Sequence, residues 1–180
     1  MPRLHPIDLE SAPRATQKLM ANVEEQLGMV PNFIATMAHS TSVAQAYLGL
    51  GNALDQCELS QELREQVALT VSQVNGCDYC VASHSAVARS IGLTEDAVRD
   101  ARNSDSPDQH LETVLRFARQ VIEKRGNVSE DDLEDLRSAG CDDPAVIEIL
   151  GQIVFVTFAN YLNNVAQTDI DFPSVPVIDN

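Results

Sequence analysis

Residues 60 to 92 read Ser60-Gln-Glu-Leu-Arg-Glu-Gln-Val-Ala-Leu-Thr-Val-Ser-Gln-Val-Asn-Gly-Cys-Asp-Tyr-Cys-Val-Ala-Ser-His-Ser-Ala-Val-Ala-Arg-Ser-Ile-Gly92. Leu63, Val67, Val71 and Val74 recur at intervals of three and four, the spacing of one helical face. Ser60 stands in front of them as an N-cap, and Gly76 breaks the pattern. A second helix starts at Cys77 or Asp78 and runs to Gly92, with Val81, Ala88 and Ile91 on one stripe. Asn75-Gly76 is a hairpin signal only between alternating runs, and here it lies between two helical ones. The segment therefore reads as helix, sharp turn, helix.

The same grammar extends in both directions. Thr94 with Ala97 and Val98 begins a short helix, and Leu111, Val114, Leu115, Ala118, Val121 and Ile122 mark another over 107–124. Ser129 and Asp132 form a capping-box-like start for 131–139. Asp143-Pro144 opens a long apolar helix to about Gln167. Towards the N-terminus, helices are expected over 13–27, with Ser11 as N-cap and Gly28 as stop, over 31–38, and over 42–56. The class is all-α. The expected organisation is one helical domain over 1–180, with a core at about 40–168 and an extended, proline-marked tail over 169–180. Glu65, Cys77, Cys80 and His84 share their offsets with Glu148, Asn160, Asn163 and Gln167, which suggests two degenerate helical repeats.

Composition narrows the function. Twelve basic residues against 27 acidic give a net charge of −15, a field that repels nucleic acid and anionic lipid. There is no Trp, and aromatics are 4% of the chain, too few for a base-stacking platform. The apolar run 147–162 falls short of the ~20 residues of a membrane span, and the N-terminus has no apolar signal region. The expected setting is cytoplasmic, without nucleic acid or membrane partners. There a close cysteine pair is catalytic or metal-binding more often than structural.

On a helix at ~100° per residue, Cys77, Cys80 and His84 fall within about 60° of one another. Both thiols and the imidazole then face inward. Cysteines at a helix start lie near unpaired N–H groups and the positive dipole end, which favour thiolate. Three-residue spacing lets two sulfurs form a disulfide. His84, four residues after Cys80, can take a thiol proton. Glu65 in the preceding apolar helix is either paired or shifted in pKa. A pairing with His84, direct or through water, would make a proton relay, and spacing alone does not show whether the two meet. A zinc site would need four ligands and no second Cys-x-x-Cys exists, so no metal and no cofactor is expected. Cys57 and Cys141 read as partly buried thiols without a role.

Arg64-Glu65 and Asn75-Gly-Cys-Asp-Tyr-Cys-Val-Ala-Ser-His84 closely resemble the signature of the alkylhydroperoxidase D-like, carboxymuconolactone decarboxylase superfamily. Val30-Pro-Asn-Phe33 and Asn163-Asn164 … Asp171-Phe-Pro173 resemble its peroxidase-related branch. The resemblance implies an alkylhydroperoxidase D-like helical fold, assembly as a dimer, trimer or hexamer, and thiol peroxidase activity. It implies that Cys80 attacks a small hydroperoxide, Cys77 resolves the sulfenic acid, and Glu65 and His84 relay protons. A dithiol reductant of the dihydrolipoyl-protein kind would reset the disulfide. Tyr79 stands where alkylhydroperoxidase D carries a second histidine, which puts Tyr79 on the expected substrate or proton path. The motif also lies in the first half of this chain rather than the second. Two other readings stay open: a non-redox lyase or decarboxylase using Glu65 and His84, and a redox-sensing interaction protein.

Overall fold

In the computed structural model, residues 1–176 and 178 are described, and among them there are nine helices and no strand. Positions 177, 179 and 180 of the expected extended tail lie outside the described residues. The helices are α1 (Arg14–Leu27), α2 (Asn32–Met37), α3 (Thr41–Leu54), α4 (Gln61–Val74), α5 (Asp78–Ser90), α6 (Glu95–Arg102), α7 (Gln109–Glu123), α8 (Glu130–Ser138) and α9 (Asp143–Ala166). Their starts are chemical. Side chains of Ser40, Ser60, Thr94, Asp108, Ser129 and Asp142 each accept a backbone N–H of the first turn, satisfying donors that the helix itself leaves unpaired. Ser129 and Asp132 complete the expected capping box. Ser11 does not cap α1. Its hydroxyl bonds Asp8, and Pro13 precedes the helix without a side-chain cap bond.

Helix α4 is the centre of the molecule. All seven residues from Gln66 to Ser72 are buried, because α5, α6, α7 and α9 pack around it. Its polar side chains are partnered: the Thr70 hydroxyl donates to the Ala101 carbonyl at 2.6 Å, and Ser72 Oγ accepts from Asn160 Nδ2 at 3.2 Å. Val67, Leu69, Val71, Val114, Leu115, Ile149 and Ile153 form the body of the core. A second cluster around Met20, Val23 and Ile34 lies outside the expected 40–168 core and seats α1 and α2.

Helix α9 corrects two expectations. It is 24 residues long, about 36 Å at 1.5 Å per residue, and is long and apolar enough to cross a membrane by length and composition. Counting only the apolar letters 147–162 missed the flanking turns. Gln152, Asn160 and Asn163 are nevertheless buried in it, bonded to α4 or α5. Nor does α9 repeat α4–α5. Where Gly76 turns the chain at φ 61°, the corresponding position is Ala159 inside an unbroken helix. The matching offsets belong to two different helix paths.

Candidate functional site

The α4–α5 turn carries the cysteines. Gly76 takes a left-handed conformation at φ 61°, and Cys77 N donates back to the Ser72 carbonyl at 3.0 Å, closing the end of α4. Cys77 then becomes the N-cap of α5, its Sγ accepting the Cys80 N–H at 3.3 Å. Cys77 and Cys80 are joined as a disulfide with Cα atoms 5.3 Å apart. Both are buried, with Tyr79 and Ala159 around them and Phe33, Tyr47 and Phe172 packed outside.

Glu65 and His84 meet across the two helices. Glu65 Oε2 lies 2.8 Å from His84 Nδ1, and both side chains keep 15–19% of their surface. With Nδ1–H donating to the carboxylate, Nε2 carries the free lone pair and is the basic nitrogen. His84 follows Cys80 by one helical turn. The structure thus brings together Glu65 with His84, and Cys77 with Cys80, on the same pair of helices.

Tyr79 is directed elsewhere. Its hydroxyl donates to Asp171 Oδ1 at 2.6 Å and accepts from Phe33 N–H at 3.3 Å. Asp171 Oδ2 accepts from Asn32 N–H at 2.8 Å. Burial, and then the bond to Asp171, push the Tyr79 phenol far above its ordinary range. Phe172 packs edge-on against the Tyr79 ring. The tail is therefore strapped across the cysteine helix.

Three asparagines of α9 hold the turn from the other side. Asn160 Oδ1 accepts from Asn75 Nδ2 at 2.9 Å, Asn164 Nδ2 donates to the Asn75 carbonyl at 3.0 Å, and Asn163 Nδ2 donates to Cys80 Sγ at 3.3 Å. Sequence reasoning assigned Asn163 no chemistry. The available signal was a set of asparagines in an otherwise apolar helix, whose cost in burial demands partners. Tyr47 was also missed. It stacks on Phe155 with centroids 4.4 Å apart and packs against the cysteine cluster. Burial, and then the Glu65 charge, push its phenol up. Beyond Tyr47 lies an open apolar groove of about 350 Å³ between α3 and α9, lined by Val43, Leu50, Val154 and Phe158 among others. A surface depression of about 620 Å³ between α7 and α8 is lined by no thiol. No cluster of metal-ligating side chains occurs among the described residues.

Comparison with known proteins bears on the family and the fold. The carboxymuconolactone decarboxylase family profile matches residues 41–124, the span from α3 through α7. A peroxidase-related protein from Silicibacter sp. TM1040 is similar over 93% of this chain and 92% of its own, with 26% identity and a TM-score of 0.81. A peroxidase-related protein with the alkylhydroperoxidase AhpD core, from Ralstonia eutropha JMP134, is similar over 94% and 92%, with 24% identity and a TM-score of 0.84. A debrominase, Bmp8 in its apo form, shares the fold over 94% and 92%, with 24% identity and a TM-score of 0.79. Among curated proteins no match was found.

Proposed function

We propose that this chain, whose residues 41–124 match the carboxymuconolactone decarboxylase family profile and whose fold is alkylhydroperoxidase D-like, is a thiol-dependent hydroperoxidase that cycles Cys77 and Cys80 between dithiol and disulfide. The supporting observation is the buried Cys77–Cys80 pair one helical turn from a histidine oriented by Glu65 at 2.8 Å. In this reading His84 Nε2 takes the Cys80 proton. The thiolate attacks the distal oxygen of a small hydroperoxide: an S–O bond forms, the O–O bond breaks, and the alkoxide leaves with the proton from His84. Cys77 then attacks the sulfenic sulfur, expelling the hydroxyl as water and forming the disulfide. A dithiol, of the dihydrolipoyl kind, restores both thiols by exchange: it donates two electrons and two protons and leaves as its own disulfide. A cytoplasmic setting would supply such reductants.

Self-association is part of the same proposal. Helix α3 carries no charged residue in a chain of net charge −15. Val43, Leu50, Val154, Phe158 and Val165 are exposed along α3 and α9, an apolar surface of the kind that marks an interface.

Free-thiol titration tests the cycle. The reduced protein, Cys77→Ser and Cys80→Ser are compared before and after cumene hydroperoxide. Four free thiols should fall to two in the unsubstituted protein and return with dihydrolipoamide. Cys77→Ser should lose one thiol and hold a sulfenic acid that dimedone traps. Cys80→Ser should lose none. Unchanged thiols in all three proteins would overturn the proposal and leave a lyase using Glu65 and His84. Oxidation without turnover would leave a redox-sensing interaction protein.

A further inference from the structure

We infer that Asn163 is the positioning residue that makes Cys80, rather than Cys77, the reactive sulfur, by donating its side-chain N–H to the Cys80 thiolate. The inference rests on Cys80 acting as the attacking thiol in the cycle above. Asn163 Nδ2 lies 3.3 Å from Cys80 Sγ, and both residues are 3% exposed. A hydrogen bond to the charged form of a buried acid favours that form. An amide is a suitable donor because, unlike a lysine or histidine, it does not titrate and stays a donor at every working pH.

The other half of the amide argues against a purely structural role. Asn163 Oδ1 is buried and has no hydrogen-bond partner among the described residues. An unpaired buried acceptor opposes folding, and Leu would fill nearly the same volume without it. Its neighbours differ: Asn160 uses both ends of its amide, accepting from Asn75 and donating to Ser72. Asn163 is thus held in place while the contact it makes among the described groups is with sulfur.

The two sulfurs are served by different donors. Cys77 Sγ accepts the backbone N–H of Cys80, which no side-chain substitution removes. Cys80 Sγ accepts a side-chain N–H from another helix. The titratable groups packed around the pair are Asp78, Tyr79 and His84 on α5, Glu65 on α4, Tyr47 on α3 and Asp171 on the tail. Tyr47 and Tyr79 are held neutral, and three of the others are carboxylic acids, which oppose a thiolate. Among the described residues, the side-chain donor seen at Cys80 is the Asn163 amide.

The test uses the full-length reduced protein in a Cys77→Ser background. Alkylation of Cys80 by iodoacetamide is followed by peptide mass across pH 5 to 10. Cys57 and Cys141 peptides serve as internal controls. Asn163→Leu keeps the volume and removes the amide, and Asn163→Ala removes both. Each should raise the Cys80 midpoint by about one unit or more, an order of tenfold less thiolate at pH below the midpoint, as a lost hydrogen bond to a charged group requires. In a Cys80→Ser background, the Cys77 midpoint should stay put in the same variants. A Cys80 midpoint unmoved by Asn163→Leu would overturn the inference. So would a shift shared by all cysteines, which marks general loosening. No peroxide enters the assay, so failure of the peroxidase reading would appear separately, as a shifted midpoint in a protein that hydroperoxide does not oxidise.

Discussion

The tripeptide Gly-Cys-Asp occurs twice, at 76–78 and at 140–142, and each time between two helices. Both glycines are left-handed, at φ 61° and 100°. Both cysteines donate their N–H to the carbonyl five residues back, Ser72 in one case and Leu136 in the other. The local fold is the same up to the sulfur. It then diverges by one residue. At α5 the N-cap is Cys77, so its thiol meets the first-turn N–H groups. At α9 the cap is Asp142, whose carboxylate accepts the Ala145 N–H at 3.0 Å, with Pro144 fixing the first turn. Cys141 is displaced into the core beside Val146 and Leu136. Burial, then the Asp142 charge, push its thiol up. One register step separates a thiol placed for chemistry from a thiol placed for packing.

The sharpest way to break this contrast is to oxidise both sites. Cys141→Ser should lose two thiols to cumene hydroperoxide as the unsubstituted protein does, while Cys80→Ser loses none. Loss of reactivity in Cys141→Ser would mean that the second Gly-Cys-Asp is part of the redox unit. The next effect belongs to the proton relay. Glu65→Gln and His84→Gln should slow the first oxidation step by about 10²–10⁴-fold, the usual contribution of a positioned base, with the number of thiols lost unchanged. Stopped-flow oxidation at fixed peroxide reads this. Rates equal to the unsubstituted protein would remove Glu65 and His84 from the mechanism.

Most helices were legible because starts and period agree: Ser60, Thr94 and Ser129 each precede a regular apolar stripe. Glu65 and His84 were legible as candidates, a carboxylate in an apolar helix and a histidine one turn beyond Cys80, but spacing left open whether they meet, and the structure places them 2.8 Å apart. The α9 contacts were not. A helix apolar nearly all round does not reveal which face meets its neighbours, so Asn160 and Asn163 read as a faded copy of the cysteines instead of their support. Nor was the Tyr79–Asp171 bond, which joins residues 92 positions apart and follows no spacing rule. Tyr79 was expected on the proton path, and its hydroxyl instead holds the tail.

That strap and the buried thiol make stability sensitive to alkali. The phenols of Tyr47 and Tyr79 and the thiol of Cys141 all have folded-state values raised above their ordinary ones. In the unfolded chain they lose protons from about pH 8.5 for a thiol and about pH 10 for a phenol. Between those values and the folded ones, the folded state binds more protons, so stability falls as pH rises. The contribution is complete below the unfolded values. The urea midpoint of the reduced protein should therefore drop between pH 8.5 and 11, and less steeply in Tyr79→Phe. A flat midpoint over that range would contradict the burial of these groups.

The smallest effect isolates the cap itself. In the reduced protein, Cys77→Ser keeps an acceptor for the Cys80 N–H, whereas Cys77→Ala removes it. Losing an N-cap acceptor costs ~1 kcal/mol, so Cys77→Ala should unfold at lower urea than Cys77→Ser by about that difference. Asp142→Ala should lose a similar amount at α9, and Cys141→Ala should show no cap effect, only the small loss of a buried sulfur. If Cys77→Ala proves as stable as Cys77→Ser, the sulfur does not cap α5. The difference between the two Gly-Cys-Asp sites would then lie in the side chains that α9 and α4 bring to Cys80, not in the register of the helix start.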